Sequence, residues 1–329
     1  MIIYRNGKGI MKNEIMVSVV CMTYNQEKYI EKCIDSLINQ KTTFQYEIII
    51  HDDCSTDGTV NILKEYKKSY PDKISLIVEE INQYSKGVNI LDDIVIPCVQ
   101  GKYIAICEGD DYWTDKYKLQ KQLNAMDNNP QCWICTHGVN IVNEDNSKVI
   151  GKITPSDRNC IFSVDQVIDG DGGFVGTNSI MIKKDIYEKN YQFERIYPLD
   201  YFLQIMGSLH GGMIYISEDM SAYRSFSEGS WSSRMQHDKK KFCKHYAKVI
   251  LALQKLDEET EKKYHNNIEK KIYQQQIEIL KLNREYKVII RNKELFNTLS
   301  FVGRMKICIL AIAPWVKGIN VKGRIGSGK

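Results

Sequence analysis

The sequence predicts an α/β fold organised around a mostly parallel sheet. Short apolar runs of strand length alternate with amphipathic helical segments through the first 130 residues, the pattern of βαβ units. These runs are continuous rather than alternating, as expected of strands covered on both faces. Three polar clusters, around Tyr24, Asp53 and Asp110, each fall at the carboxyl end of such a run. That is where open α/β sheets bind their ligands.

Residues 17–21 form the first predicted strand, leading through Met22-Thr23-Tyr24-Asn25 into a helix with Ile30, Cys33, Ile34, Leu37 and Ile38 on one face. Residues 47–51 form the second. It ends in Asp52-Asp53-Cys54-Ser55-Thr56-Asp57-Gly58-Thr59, a turn rich in capping residues, before a helix carrying Val60, Leu63 and Tyr66. Residues 74–78 are the third strand, 89–99 a helix and 102–107 the fourth strand. A helix over 114–128 follows, with Thr114 as its N-cap.

Beyond Pro130 the pattern is less regular. Residues 131–136, 138–142, 174–184 (through Ile180-Met181-Ile182) and 213–217 read as strands, 199–209 as a helix with Asp200 in its first turn, and 151–173 as loop-rich. The polar stretch 223–233 reads as a lid or as the end of the catalytic domain. From Lys239, Phe242, Tyr246, Val249, Leu253 and Leu256, then Tyr264, Ile268, Ile272, Ile277 and Leu280, recur at helical spacing and predict a helical hairpin or paired long helices. The expected organisation is an N-terminal extension over 1–15, a catalytic domain over 16–233 and a helical region over 234–329.

The chain has 329 residues, of which 43% are hydrophobic and 26% charged, an ordinary globular composition. A net charge of +4 singles out no partner. The ten cysteines are scattered through apparent strands and helices, and no secretory h-region precedes them. Buried free thiols in a cytoplasmic protein are therefore expected. After Glu294 no acidic residue occurs, while Arg304, Lys306, Lys317, Lys322, Arg324 and Lys329 surround the apolar stretch 307–316, with Trp315 near its end. Too short to span a bilayer, this stretch reads as an interfacial anchor at the inner face of a membrane. The competing readings are a helix docked on the rest of the chain and a contact between copies in a homo-oligomer.

Glu108-Gly109-Asp110-Asp111 places three carboxylates at the end of a buried strand. Their repulsion is relieved by a cation, and carboxylate oxygens suit hard ions such as Mg²⁺ or Mn²⁺. The plainer reading is a solvated acidic turn before a helix N-terminus. Cys132-x-x-Cys135 with His137 lacks a second ligand pair and reads as structural. Asp169-Gly170-Asp171-Gly172-Gly173 fails as a calcium loop, because its twelfth position is Ile180. Neither a dinucleotide fingerprint nor a phosphate-binding P-loop is present, and the Lys and Arg of 239–293 are balanced by Glu, leaving no case for nucleic acid.

Three stretches, VSVVCMTYNQEKYIEKCIDSLINQ, EIIIHDDCSTDGT and GKYIAICEGDDYWTDKYKLQKQ, resemble the family 2 glycosyltransferases with the GT-A fold, over roughly residues 17–224 and in the family's order. The resemblance implies a sugar transfer from a nucleotide-sugar, with inversion and a divalent metal. Tyr24 matches the position that packs on the donor base and Asp53 the one that hydrogen-bonds it, usually uracil. Asp110 and Asp111 match the acidic pair, the first facing the donor and the second the metal and diphosphate. Glu108 opens this motif in the EGDDYW variant common among bacterial polysaccharide enzymes. Asp200 sits where the family carries its general base, although Leu199 replaces the preceding acid. Lys86 and Arg224 are candidate diphosphate contacts.

The expected reaction moves a sugar from a UDP-sugar to a hydroxyl of a lipid-linked glycan in surface-polysaccharide assembly. Two alternatives stand beside it. A sugar nucleotidyltransferase would need a glycine- and basic-rich phosphate loop where Met22-Thr23-Tyr24-Asn25 stands. A non-catalytic nucleotide-sugar- or glycan-binding subunit would not need the complete acidic set.

Overall fold

The structure is a computed structural model and describes residues 2–4, 14–225 and 238–312. Its parallel half follows from the alternation of strand and helix. Strand β1 (Ile2–Tyr4) is an edge strand. β2 (Ile15–Thr23), β3 (Gln45–Asp52), β4 (Ile74–Val78) and β5 (Tyr103–Ile106) lie side by side in the order β4-β3-β2-β5, all parallel. β1 pairs antiparallel with β4, so residues 2–4 belong to the sheet although they were expected in an extension. Helices α1 (Ile30–Ile38) and α2 (Thr59–Ser69) connect the first three parallel strands.

The predicted helix over 89–99 is instead a π-turn, Ile90–Val95, followed by a 3₁₀ turn, Ile96–Cys98. Pro97 lacks the N–H that a continuing α-helix needs. Tyr112–Trp113 forms the two-residue strand β6, and α3 begins only at Lys118 (Lys118–Asp127). Thr114 is therefore not an N-cap; its N–H bonds the Met220 carbonyl at 3.0 Å.

The second half mixes directions. β7 (Ile134–Val142) is one strand rather than two, and β8 (Val149–Ile153) folds back on it. β9 (Cys160–Phe162) and α4 (Val164–Gly170) replace the expected loop, α4 opening with a Ser163–Gln166 capping box. β10 (Met181–Lys183) is antiparallel to both β5 and β7. α5 (Gln192–Ile196) and α6 (Asp200–Ser208) lead to β11 (Met213–Arg224), which is parallel to β7. β6 and β9 pair antiparallel with β11.

Two apolar layers sandwich the sheet. Val19 and Cys21 face the layer of α1, with Ile34 and Leu37. Val20 faces the opposite layer, with Ile49, Ile104 and Phe202 of α6. This alternation is the two-residue period of a strand. The predicted helical hairpin is α7 (Lys239–Glu259) and α8 (His265–Leu282), and Val249, Leu253, Leu256 and Ile268 join the α6 layer. Lys271, 2% exposed, anchors α8 by donating to the Asp169 carbonyl and the Asp171 carboxylate.

Short helices α9 (Tyr286–Arg291) and α10 (Lys293–Thr298) lead to α11 (Phe301–Ile312). Ile307 and Leu310 of α11 are buried, whereas Phe301, Val302, Met305, Ile309 and Ile312 are exposed. Among the described residues no helix is long and apolar enough to cross a membrane. Most of the expected lid and the Trp315 end of the apolar stretch lie outside the described residues. All ten cysteines are unbridged, and Cys132 and Cys135 are buried.

Candidate active site

The parallel strands bring three predicted residues to one edge. Tyr24 follows β2, Asp53 follows β3 and Asp110 lies just beyond β5, and β3, β2 and β5 are consecutive neighbours. Their turns are laced together by hydrogen bonds. Asn25 N–H donates to Ser55 Oγ at 2.8 Å, Thr56 N–H to Asn25 Oδ1 at 2.7 Å, and Gln26 N–H to Thr59 Oγ1 at 2.9 Å. Asn25 and Cys54 both hold the left-handed backbone region, with φ of 53° and 67°. Non-glycine residues tolerate this region only where their surroundings enforce it. Tyr24 is 40% exposed on this frame, its ring available for stacking.

Asp53 is buried and does a second job. Its carboxylate accepts from Gln83 N–H at 2.6 Å and from Tyr84 N–H at 3.1 Å, and its carbonyl accepts from the Asn82 side chain. It therefore pins the short 3₁₀ turn Tyr84–Lys86, on which Lys86 is exposed. Each carboxylate oxygen keeps a further lone pair for a ligand. Beneath it lie His51 and Glu79, 3.6 Å apart and both buried. Burial holds the His51 imidazole below its ordinary range, against the opposing pull of Asp53 and Glu79.

The acidic turn sits against the start of α1. Gly109 N–H donates to the Met22 carbonyl at 3.0 Å, and a Cβ on Gly109 would meet Gln26 Oε1 at 2.3 Å. A larger residue there would have to push the Gln26 side chain aside. The turn sends its carboxylates in different directions. Asp111 is 1% exposed, accepting from Asn178 Nδ2 at 2.9 Å and from Arg224 N–H at 2.9 Å. Burial, then the charges of Asp110 and Glu108, push its carboxyl well above the usual range. Both oxygens of Asp111, the expected metal ligand, thus accept a hydrogen bond from the protein, so this carboxylate holds the turn in place. Glu108 and Asp110 are only partly buried.

Arg224 also differs from expectation. It ends β11, is 4% exposed, and donates through Nε to the Asp110 carbonyl at 2.9 Å and through a terminal nitrogen to the Glu144 carbonyl. Its guanidinium stacks 4.6 Å from the Tyr29 ring centroid. It thus braces the acidic turn from behind rather than hanging in a lid.

Asp200 opens α6 across the cleft and accepts a hydrogen bond from the Thr177 hydroxyl. The residue is exposed to solvent, yet the protein packed around its carboxyl raises it above the usual range, opposed by the Thr177 bond. Glu108 is pushed well above its range by burial, then by the charges of Asp200 and Asp110. The Glu108 carboxyl therefore feels the charge of both other carboxylates.

Among the described residues no three His, Cys, Asp or Glu side chains form a ready-made metal cage. The repulsion that Glu108 meets from Asp200 and Asp110 nevertheless fits a hard divalent ion, which takes one or two carboxylates and completes its shell with phosphate and water oxygens.

The sequence reading missed Asn178 and Thr177. Asn178 is fully buried, donates to Asp111 and to the Ala222 carbonyl, and accepts from Ser221 Oγ. The only sequence signal was Gly176-Thr177-Asn178-Ser179, a polar tetrad directly before the apolar run 180–182.

Comparison with known proteins gives consistent results. A family model described as glycosyl transferase family 2 matches residues 18–224. An uncharacterized protein of Mycobacterium tuberculosis is 34% identical over 230 residues, 69% of this chain and 63% of that protein, so the match spans just under two thirds of the relative. A putative teichuronic acid biosynthesis glycosyltransferase of Bacillus subtilis is 39% identical over 111 residues, 34% of this chain and 42% of that protein. The crystal structure of Staphylococcus aureus TarS 1-349 in complex with UDP-GlcNAc superposes with a TM-score of 0.61 at 16% identity, covering 89% of this chain and 81% of that one. At such identity the likeness shows the fold, a GT-A fold with additional C-terminal helices.

Proposed function

The chain belongs to glycosyltransferase family 2, and on that premise we propose that it transfers a sugar, with inversion, from a UDP-sugar to a hydroxyl of a glycan acceptor. The observation that carries this reading is the convergence of Tyr24, Asp53 and Asp110 on consecutive strand ends, with Asp200 near enough for its charge to act on Glu108. Tyr24 stacks on the base and Asp53 hydrogen-bonds it. Lys86, on the turn that Asp53 holds, meets the diphosphate.

Asp110, with Glu108 beside it, would hold the Mn²⁺ or Mg²⁺, which when bound offsets the charge developing on the diphosphate leaving group. Asp111 and Arg224 keep the turn that carries these carboxylates in place. Asp200 takes the proton of the acceptor hydroxyl as the new glycosidic bond forms and the bond from the anomeric carbon to the diphosphate oxygen breaks. A carboxyl raised by burial is a stronger base at neutral pH than an ordinary aspartate.

Residues 16–233 carry this chemistry, while 234–329 brace it and address it to its acceptor. The exposed apolar face of α11, between Phe301 and Ile312, supports a peripheral contact with the inner face of a membrane and hence a lipid-linked acceptor. The name of the Bacillus subtilis relative supports a place in surface-polysaccharide synthesis. Nucleotide release from UDP-, GDP- and dTDP-sugars, with Mn²⁺, Mg²⁺ or EDTA, tests the donor reading. Metal-dependent release from one UDP-sugar is expected; release unaffected by EDTA contradicts the metal assignment.

A further inference from the structure

Behind the acidic turn lies an open cavity of about 610 Å³, between α1 and the turn that joins β7 to β8. Asp200 is not among the residues that line this cavity. Its volume is within the range of small-molecule sites, about 300–1,000 Å³.

Three cations line it: Lys28, Lys32 and Arg224. Lys32 Nζ sits 4.0 Å from the Tyr112 ring centroid, and Arg224 stacks on Tyr29; ring faces attract these cations without neutralising them. Lys32 forms no ion pair among the described residues. Burial and then the positive charge of Arg224 lower its ammonium from the ordinary range, so these two cations repel one another. Two carboxylates also line the cavity, both held by neutral donors, so the three cations outnumber them by one. Glu144 Oε1 takes the Tyr29 hydroxyl at 2.8 Å, and Asp145 Oδ1 takes the Asn143 side chain and the Ser147 N–H. An anion that relieves the Lys32–Arg224 repulsion is the natural occupant.

We propose that this cavity binds a phosphate group, gripped by Lys28, Lys32 and the outer edge of Arg224. Lysine ammoniums and a guanidinium fork are the usual phosphate partners. Such a group comes either as free phosphate or as part of a phosphodiester-linked polymer. Since Arg224 Nε also holds the Asp110 carbonyl, the bound anion touches the residue that braces the acidic turn. The site stands whether or not the donor reading holds.

Calorimetric titration of the full chain with inorganic phosphate and, separately, with glycerophosphoglycerol tests this, against the Lys28→Glu/Lys32→Glu double variant. Both lysines are exposed, so the variant retains the fold. At least one probe should bind, and charge reversal should weaken it by about tenfold or more while UDP affinity stays unchanged. Preference for inorganic phosphate identifies free phosphate as the source; preference for the diester identifies a polymer. Equal binding by variant and wild type, no binding of either probe, or a parallel loss of UDP affinity overturns the proposal.

Discussion

Asn178 donates its side-chain amide to the carboxylate of Asp111 at 2.9 Å, inside a protein interior where neither residue meets solvent. This bond and the Arg224 N–H fix the direction in which the acidic turn presents Glu108 and Asp110. Asn178→Ala should therefore cost about 1–3 kcal/mol, the usual penalty for stranding a buried partner. It should also lower turnover without removing any group that touches substrate. Thermal melts and steady-state rates check both. Asp111→Ala should likewise destabilise the fold, whereas an exposed metal ligand would lower activity without a fall in Tm.

Arg224→Lys keeps the charge but cannot bond the carbonyls of Asp110 and Glu144 together. Turnover should fall by about tenfold or more, with a stability loss of about 1–3 kcal/mol. Equal activity in the variant would mean that the acidic turn needs no brace.

Asp53→Ala removes the acceptor for Gln83 and Tyr84 N–H. Amide hydrogen exchange across residues 82–86 should accelerate in the free protein, before any nucleotide is added. Nucleotide affinity should fall at the same time. Unchanged exchange would show that the turn is held by other contacts.

Lys118 is fully buried, donates to Gln122 Oε1 at 2.7 Å and lies 4.0 Å from the Trp113 ring centroid. Burial lowers its ammonium to about 7. Between that pH and about 10.4 the unfolded chain holds a proton that the folded chain has lost, so this group makes stability rise with pH. The stability of Lys118→Met relative to wild type should therefore be greatest below pH 7 and decline above it, approaching about 1.4 kcal/mol per pH unit by pH 9. Denaturation at several pH values measures this; a pH-independent difference would mean that Lys118 stays charged.

The parallel half of the fold was legible because β2 to β5 are continuous apolar runs separated by short polar turns. The three polar clusters mark the strand ends directly. The mixed half was not. β8 has no buried residue, so its apolar Val149, Ile150 and Ile153 mark no core face, and β6 is two residues long and exists only because β11 pairs with it. That same pairing displaced the expected Thr114 cap. In the site, residue types were legible but directions were not. Nothing in Asp110-Asp111 says which carboxylate turns inward, since that is set by Asn178 and Arg224, 67 and 113 residues away.

The central claim is that Asp200 removes the acceptor proton while the strand-end residues bind the donor. Asp200→Asn separates the two, since the amide keeps the shape of the side chain and can still accept from Thr177. The measurement is UDP affinity alongside transfer rate in that one variant. UDP affinity close to wild type, with transfer reduced by about 10²–10⁴-fold, is the expected result. Transfer within a few-fold of wild type would contradict the assignment of Asp200 as the base.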